Sequence, residues 1–304
     1  MSLFAFVLII LSAGFHASWN LLAKKTVMSF PFYTIICMVS ASMWLHTQFW
    51  TPVPVWHLPP SFWIWIVVTV SSDFLYSIGL VNAYRYLDMS TAYPMMRSLP
   101  LLLTAVITTV FGLGKPLTPL AMFGMFVVFC GCMSMPLKKF TDFNVRNYIT
   151  WNMFFVFLSA CGTTGYTIAD SQGQKVLAEY VAANNIDVAK PIVSMSYYST
   201  RGIFLSSTLF IFSMLVKDQR EKFFTYFRNR DWTPFVAGVF ASLTYILVLI
   251  AMNFVTNVSY VQVFRQIGLI LGLAMGIFIL KEKCTVTKVV GVALILIGLA
   301  LTVI

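Results

Sequence analysis

Charged residues are scarce in this sequence, and their scarcity excludes the commonest class of proteins. Only 10% of the 304 residues are Asp, Glu, Lys or Arg, whereas 59% are hydrophobic. A soluble domain has about 25% charged residues. The composition therefore predicts an integral membrane protein, and the short segments between its apolar runs leave no room for a soluble domain of any size.

Motifs for metals, nucleotides and nucleic acids are also missing. The five cysteines lack metal-ligand spacing, and Cys130 and Cys132 do not share a helix face, so we interpret them as packing residues. Residues 111–118 lack the spacing of a phosphate-binding loop, and no H-E-x-x-H sequence occurs. We therefore expect no metal site, no cofactor and no activity driven directly by nucleotide hydrolysis. The net charge of +10 lies mostly between apolar runs, so no nucleic-acid partner is predicted.

Ten apolar runs are each long enough to cross a bilayer, which takes roughly 20 residues. The first has no positive charge before it and two lysines after it, unlike a secretory signal, so we expect it to be retained as a span. The runs cover approximately residues 2–23, 31–50, 62–86, 91–113, 117–136, 149–172, 191–216, 232–254, 259–280 and 286–304.

Positive charge is distributed unevenly along the chain. Of the 20 Lys and Arg residues, 14 lie in or beside the loops after odd-numbered runs, and three lie in the loops after even-numbered runs. The positive-inside rule then places the odd loops in the cytoplasm and both termini outside. We expect a multi-pass protein of a bacterial inner membrane that is surrounded by lipid and is either a monomer or a homodimer.

The two halves of the chain resemble each other. Residues 83–100 align with residues 251–268, which pairs Arg97 with Arg265. A second match, between runs five and ten, pairs Thr118 with Thr285, Gly124 with Gly291 and Gly131 with Gly298.

This duplication has a geometric consequence. Because five runs are an odd number of crossings, the second half is inverted relative to the first. The sequence thus predicts an all-α integral membrane fold of ten transmembrane helices in two inverted five-helix repeats, residues 1–148 and 149–304. Inverted repeats are typical of secondary transporters, whose solute site lies between the halves.

Several of these segments resemble a known family. The sequence HASWNLLAKK at residues 16–25, the segment that ends at Pro100 and the T…G…G pattern of runs five and ten are similar to the drug/metabolite transporter superfamily, and within it to the EamA family. Residues 280–298, which include Glu282, add to the resemblance, whereas residues 114–116 depart from it. The resemblance implies a ten-helix carrier of amino acids, metabolites or other small polar solutes, and it does not identify the solute.

Polar side chains within the apolar runs are candidates for a solute site, because charges in a bilayer are costly and face the bundle interior. The charged residues within the runs are Asp73, Arg97, Asp170, Arg201 and Arg265. We interpret Arg201 as structural, since it lies in a stretch rich in Ser and Tyr. The predicted substrate-binding residues share a polar face or an aromatic wall of a cavity between runs 1, 3, 4, 6, 8 and 9. They are His16, Trp19, Asn20, Asp73, Tyr76, Tyr93, Arg97, Tyr166, Asp170, Tyr245, Gln262, Arg265 and Gln266.

Structural alternatives stay open for some of these residues. His16 and Asn20 could instead form hydrogen bonds between helices. Asp170 could instead be a residue at the membrane interface. Arg97 cannot lose its proton, and Pro100 beside it bends the helix and frees carbonyl groups. We therefore predict that Arg97 binds a carboxylate or phosphonate of the solute.

The depth of each charge predicts how the charges pair. At ~1.5 Å per residue, Arg97 and Asp73 lie about 9 and 17 Å from the cytoplasmic face, a gap that a guanidinium nearly bridges. We expect the pairs Asp73–Arg97 and Asp170–Arg265. If both arginines are neutralised, the cavity suits a zwitterion; if either is unpaired, it attracts an organic anion.

Secondary active transport by alternating access is the favoured function, with an amino-acid-like zwitterion or an organic anion as solute. Proton coupling is an option at His16, Asp73 or Asp170, whose protonation can change. The alternatives are a membrane-embedded enzyme that acts on a lipid or peptide, an exporter of quaternary-ammonium compounds or drugs with the same fold, and a receptor or scaffold. The sequence shows no nucleophile with a base and no metal site, so we do not expect an enzyme.

Overall fold

The computed structural model describes residues 2–23, 29–87, 89–135, 137–144, 146, 150–278 and 284–303, without the side chains of residues 20, 21, 23, 89–94, 275 and 276. Glu282, which contributed to the family resemblance, and the two lysines at residues 24 and 25 lie outside the described residues. The side chains of Asn20 and Tyr93, both predicted to bind substrate, also lie outside them.

Within these residues the chain forms α-helices and short 3₁₀ turns, and no strand. The helices are α1 (Leu3–Ala23), α2 (Phe30–Trp44), α3 (Thr47–Trp50), α4 (Pro60–Tyr86), α5 (Met89–Val110), α6 (Pro119–Ser134), α7 (Met153–Ala183), α8 (Lys190–Leu215), α9 (Lys217–Arg228), α10 (Thr233–Met252), α11 (Ser259–Phe264), α12 (Ile267–Phe278) and α13 (Val286–Leu301).

Local sequence explains where several helices begin. The Thr118 hydroxyl accepts a hydrogen bond from the Ala121 amide at 3.1 Å, and the Thr285 hydroxyl accepts one from the Lys288 amide at 3.4 Å. Such caps satisfy one of the free amides at a helix N-terminus. The two threonines were aligned by the sequence repeat, so α6 and α13 begin with the same cap.

Each predicted apolar run contains a helix, but three runs differ from their predicted form. The second ends early, and a separate short helix, α3, follows it. The sixth continues to Ala183, because Leu177 and Val181 remain buried while Lys175 and Glu179 pair on the exposed face. The ninth, which was predicted to be continuous, is divided at residues 265–266 into α11 and α12.

The break in the ninth run lies where a side chain from the first half of the chain contacts its backbone. The carbonyl of Arg265 accepts hydrogen bonds from the Gly268 amide at 3.1 Å and from the Arg97 guanidinium at 3.3 Å. A side chain that inserts into the backbone ladder is a common cause of a helix kink. The break therefore comes from a contact between the two halves of the chain.

Helix composition is that of a membrane protein. Among the described residues, α4 and α10 are each long and apolar enough to cross a bilayer. Helices α8 and α9, which are bent by 110° relative to each other, meet the same length and hydropathy criterion when they are taken together. Shorter apolar helices accompany them at Leu3–Trp19, Met95–Val110, Pro119–Ser134 and Val286–Leu301.

The three most extensive helix contacts are between antiparallel pairs: α1 with α10, α4 with α7, and α6 with α13. The α6–α13 pair is so close that a Cβ atom on Gly124 would lie 2.7 Å from the carbonyl oxygen of Gly298. One on Gly131 would lie 2.8 Å from the carbonyl oxygen of Gly291. Small residues permit this approach, and α4 and α7 approach as closely, since a Cβ atom on Gly79 would lie 2.5 Å from the amide nitrogen of Ser159.

Candidate functional site

Two adjacent cavities lined by apolar, aromatic and charged side chains lie inside the helix bundle. The first chamber has a volume of about 100 Å³ and is bordered by α1, α2, α4, α7, α8 and α10. The second chamber, of about 60 Å³, is bordered by α1, α4, α5, α7 and α11. Both chambers are also bordered by Arg265 at the helix break, and they share His16, Trp19, Tyr76 and Tyr166 as well.

A buried guanidinium between two carboxylates forms one wall of the first chamber. Arg201 of α8 donates a hydrogen bond to Asp73 of α4, and its Nε lies 3.2 Å from Oδ1 of Asp170 on α7. Its guanidinium carbon also lies 4.8 Å from the ring centroid of Tyr245. All three charged side chains are at least nine-tenths buried. This cluster of one positive and two negative charges joins α4, α7 and α8.

Hydroxyl groups complete the coordination of the two carboxylates. Asp170 accepts hydrogen bonds from Thr69, from Tyr197 at 2.8 Å and from Tyr245, and it borders neither chamber. Asp73 accepts one from Tyr33 at 2.7 Å and borders the first chamber. Asp73 is thus the carboxylate of this cluster that a solute or a proton can reach.

The charge pairs predicted from depth are therefore wrong. Asp73 and Asp170 both pair with Arg201, which had been interpreted as structural and assigned no partner. Depth along a helix gives height in the membrane but not lateral position, and α8 packs against both α4 and α7. The sequence did contain one indication of this pairing: Arg201 lies within an apolar run, and a buried arginine needs an anionic partner.

Arg97 and Arg265 lie on either side of the contact between the two halves. Arg97 Nη2 donates to the carbonyl of Arg265 at 3.3 Å, and Gln266 Nε2 donates to the carbonyl of Arg97 at 3.0 Å. Arg97 Nε is buried without a hydrogen-bond partner. Within the described residues, neither guanidinium has a carboxylate within 4.0 Å. Both border the second chamber.

Most of the predicted residues border one or both chambers. The Trp19 indole donates to His16 Nδ1 at 3.0 Å, which orients both rings, and Gln262 donates to Thr167 at 2.6 Å. The predicted residues at the chambers are His16, Trp19, Asp73, Tyr76, Arg97, Tyr166, Tyr245, Gln262, Arg265 and Gln266.

Among the aromatic and charged side chains of the first chamber, the sequence did not predict three: Tyr33 of α2, and Tyr198 and Arg201 of α8. Both helices belong to runs that had not been assigned to the cavity. Tyr33 was detectable as a hydroxyl-bearing ring in an otherwise apolar stretch, but nothing in one sequence shows that α2 faces Asp73.

Known proteins match this chain in sequence and in fold. Residues 188–304 match the model of the EamA-like transporter family, which confirms the resemblance over those residues. No curated protein matches the chain. A solved crystal structure, whose description gives no function, has a TM-score of 0.67 and 14% identity over 98% of this chain and 96% of that chain. At that identity the likeness shows the fold alone.

Proposed function

Residues 188–304 match the model of the EamA-like transporter family, and from this premise we propose that the chain is a secondary active transporter of a small organic anion. The pair Arg97 and Arg265 supports this proposal, because both face a chamber without a carboxylate partner among the described residues. A guanidinium stays charged and binds a carboxylate or phosphonate bidentately. An oxyanion is therefore the ligand class whose charge and shape complement this pair of arginines.

Charge balance favours an anion over a zwitterion. The site contains the guanidinium groups of Arg97, Arg201 and Arg265 and the carboxylates of Asp73 and Asp170, which leave one positive charge. A monoanion neutralises that charge, whereas a zwitterion leaves it uncompensated. Since an uncompensated charge in a low-dielectric interior is costly, the transported solute is assigned as an organic anion, which balances the site as a monoanion when Asp73 is ionised and as a dianion when Asp73 is protonated.

The same geometry disfavours export of quaternary-ammonium compounds. Such cations bind over the faces of aromatic rings. Arg201 already lies over Tyr245 at 4.8 Å and over Tyr166 at 5.7 Å. The rings that would form a cation site therefore contact a cation of the protein itself.

The transport mechanism we propose is alternating access between two inverted five-helix repeats with ten spans. Its support is the crossed contact of α6 and α13. The sequence repeat pairs Gly124 with Gly291 and Gly131 with Gly298, but in space Gly124 contacts Gly298 and Gly131 contacts Gly291. A two-fold rotation that exchanges the repeats converts one contact into the other.

Other helix pairs are consistent with that rotation. Exchange of the repeats converts the α1–α10 pair into the α4–α7 pair, and both pairs pack closely. The contact between Arg97 and Arg265, which are aligned positions, supports the same rotation, because equivalent residues that touch must lie beside its axis. Movement of one repeat against the other about this axis would open the chambers to each side in turn.

Orientation is tested by reporter fusions. We expect a fusion after Lys139, and one within residues 217–230, to report the cytoplasm, because positive charge is retained on that side. A fusion after Lys115 should report the outside. If the first two fusions report the outside, the orientation is reversed.

We place proton coupling at Asp73. A proton on Asp73 would remove one of the two negative charges around Arg201 and release a guanidinium donor toward the first chamber. The titratable and charged groups that face Asp73 are Tyr33 and Cys37 of α2, Tyr76 of α4, Tyr166 of α7 and Arg201 of α8, with Asp170 behind the guanidinium. Proton and anion would then bind together, which is symport.

Coupling is checked by uptake into proteoliposomes under an imposed pH gradient. An inward proton gradient is expected to raise anion uptake by the parent at least several-fold, since it loads both ligands from one side. Asp73→Asn, which cannot exchange a proton, should give uptake that no longer responds to the gradient. An equal response in both proteins would remove Asp73 from the coupling step.

The solute class is tested by thermal unfolding of the purified chain. A binding ligand raises the melting temperature in proportion to RT ln(1 + [L]/Kd). A panel of a short monocarboxylate or phosphonate, the matching amino acid and the matching amine separates the three charge classes. The anion alone is expected to stabilise the chain; stabilisation by the amine or the amino acid in its place would overturn the proposal.

A further inference from the structure

Helix α9 is different in kind from the helices around the chambers. It follows α8 after a bend of 110°, so it runs nearly perpendicular to a helix that crosses the bundle. Six of its twelve residues are charged, a composition that the hydrocarbon core of a bilayer does not accept. The direction and the charge together place α9 along the membrane surface.

One side of α9 is attached to the protein. Phe223 is buried and its ring lies 5.7 Å from that of Phe210 on α8. The Tyr226 hydroxyl lies 3.1 Å from the hydroxyl of Ser29, the residue that caps α2. After the helix, Asp231 Oδ1 accepts a hydrogen bond from the amide of Thr233, the first residue of α10, at 3.0 Å. These contacts hold α9 in one orientation.

Its other side combines exposed aromatic rings with unpaired basic groups. Phe224 and Phe227 are about half exposed, and Trp232 just beyond the helix is 67% exposed. Lys222 pairs with Asp218 at 2.8 Å. In the described part of the chain, no carboxylate lies within 4.0 Å of the remaining basic side chains of this segment, which are Lys217, Arg220, Arg228 and Arg230.

We infer that α9 is an interfacial helix that binds the headgroups of anionic phospholipids. Half-exposed aromatic rings beside long basic side chains, which can extend their charges toward the headgroups, are typical of helices that lie at the boundary between acyl chains and headgroups. Basic residues at that level attract anionic lipid. The occupant is the bilayer that surrounds the chain, because α9 follows directly after α8, whose last turns expose the apolar side chains of Ile211 and Leu215.

The inference is tested by lipid selectivity of the full chain in vesicles of phosphatidylcholine. Spin-labelled phosphatidylglycerol and spin-labelled phosphatidylcholine report the motionally restricted lipid at the protein surface. The parent is expected to prefer phosphatidylglycerol several-fold, since one basic residue near an anionic charge contributes about fivefold. Raising the salt concentration from 50 to 500 mM should reduce the preference, because screening shortens the range of the attraction.

A matched pair of variants locates the site. Lys217→Gln/Arg220→Gln/Arg228→Gln should lower the preference at least threefold. The control Lys115→Gln/Lys175→Gln/Lys190→Gln removes the same charge from three other positions and should change it little. A parent without preference, an α9 variant that keeps it, or a control that loses it equally would each overturn the inference. Anion binding at the chambers is expected to be equal in both variants, so failure here leaves the transport proposal standing.

Discussion

Arg97→Lys is expected to lower the affinity for the transported anion by about 10- to 100-fold, while the variant inserts and folds like the parent. Lysine keeps the positive charge, but it loses the planar fork that binds an oxyanion through two parallel hydrogen bonds. A hydrogen bond to a charged group contributes roughly 1.5–3 kcal/mol, which corresponds to that range. Titration of the purified proteins with the stabilising anion measures the change.

The control for this substitution is Leu103→Ala on the same helix. Leu103 borders neither chamber, so its truncation should leave the affinity within about twofold of the parent. Arg265→Lys should behave like Arg97→Lys, because the two arginines border the same chamber. If Arg97→Lys binds the anion as tightly as the parent does, the second chamber is not the anion site.

Arg201→Gln is expected to destabilise the chain by about 3–5 kcal/mol, because it leaves Asp73 and Asp170 as two buried carboxylates without a cation. Asp73→Asn should cost less, since Arg201 retains Asp170. Arg201→Gln combined with Asp73→Asn should recover part of the loss, because one of the two unpaired charges is gone. Reversible unfolding in detergent, followed for the four proteins, gives the coupling between the two sites.

Arg85→Gln serves as the matched control for that series. Arg85 lies at the exposed end of α4, and loss of an exposed charge changes stability by less than about 0.5 kcal/mol. Equal costs for Arg201→Gln and Arg85→Gln would show that the cluster does not hold α4, α7 and α8 together. The depth-based alternative, in which Arg97 is the partner of Asp73, would instead make Arg97→Gln the costly change.

Patterns that are local in the sequence predicted much of this structure. The threonine caps of α6 and α13 and the position of Arg265 opposite Arg97 come from the repeat, which one sequence displays. The apolar runs gave the order of the helices, because a bilayer demands a minimum apolar length from each span. The extension of α7 and the early end of α2 were missed, since burial beyond the apolar run depends on neighbouring helices.

Pairing of the charges could not be predicted, because it depends on which helices lie side by side. Arg201 is 128 residues from Asp73 and 31 from Asp170, and no spacing rule connects them. The aromatic faces were predicted as a cavity wall but not as the partner of Arg201. The difference between the predicted and the observed ion pairs affects the expected solute. If Arg97 and Asp73 were paired, a zwitterion would fit, whereas the observed pairing leaves Arg97 and Arg265 for an anion.

Transport itself is measured most directly as uptake of the stabilising anion into proteoliposomes that contain the purified chain. The parent is expected to take up the anion in a saturable manner and to take up none of the matching amine. An inward proton gradient should accelerate the uptake of the anion. Arg97→Lys, reconstituted to the same density, should lose most of the uptake. Uptake no greater than that of protein-free liposomes for every anion, or equal uptake of anion and amine, would contradict the assignment of the chain as an organic-anion transporter.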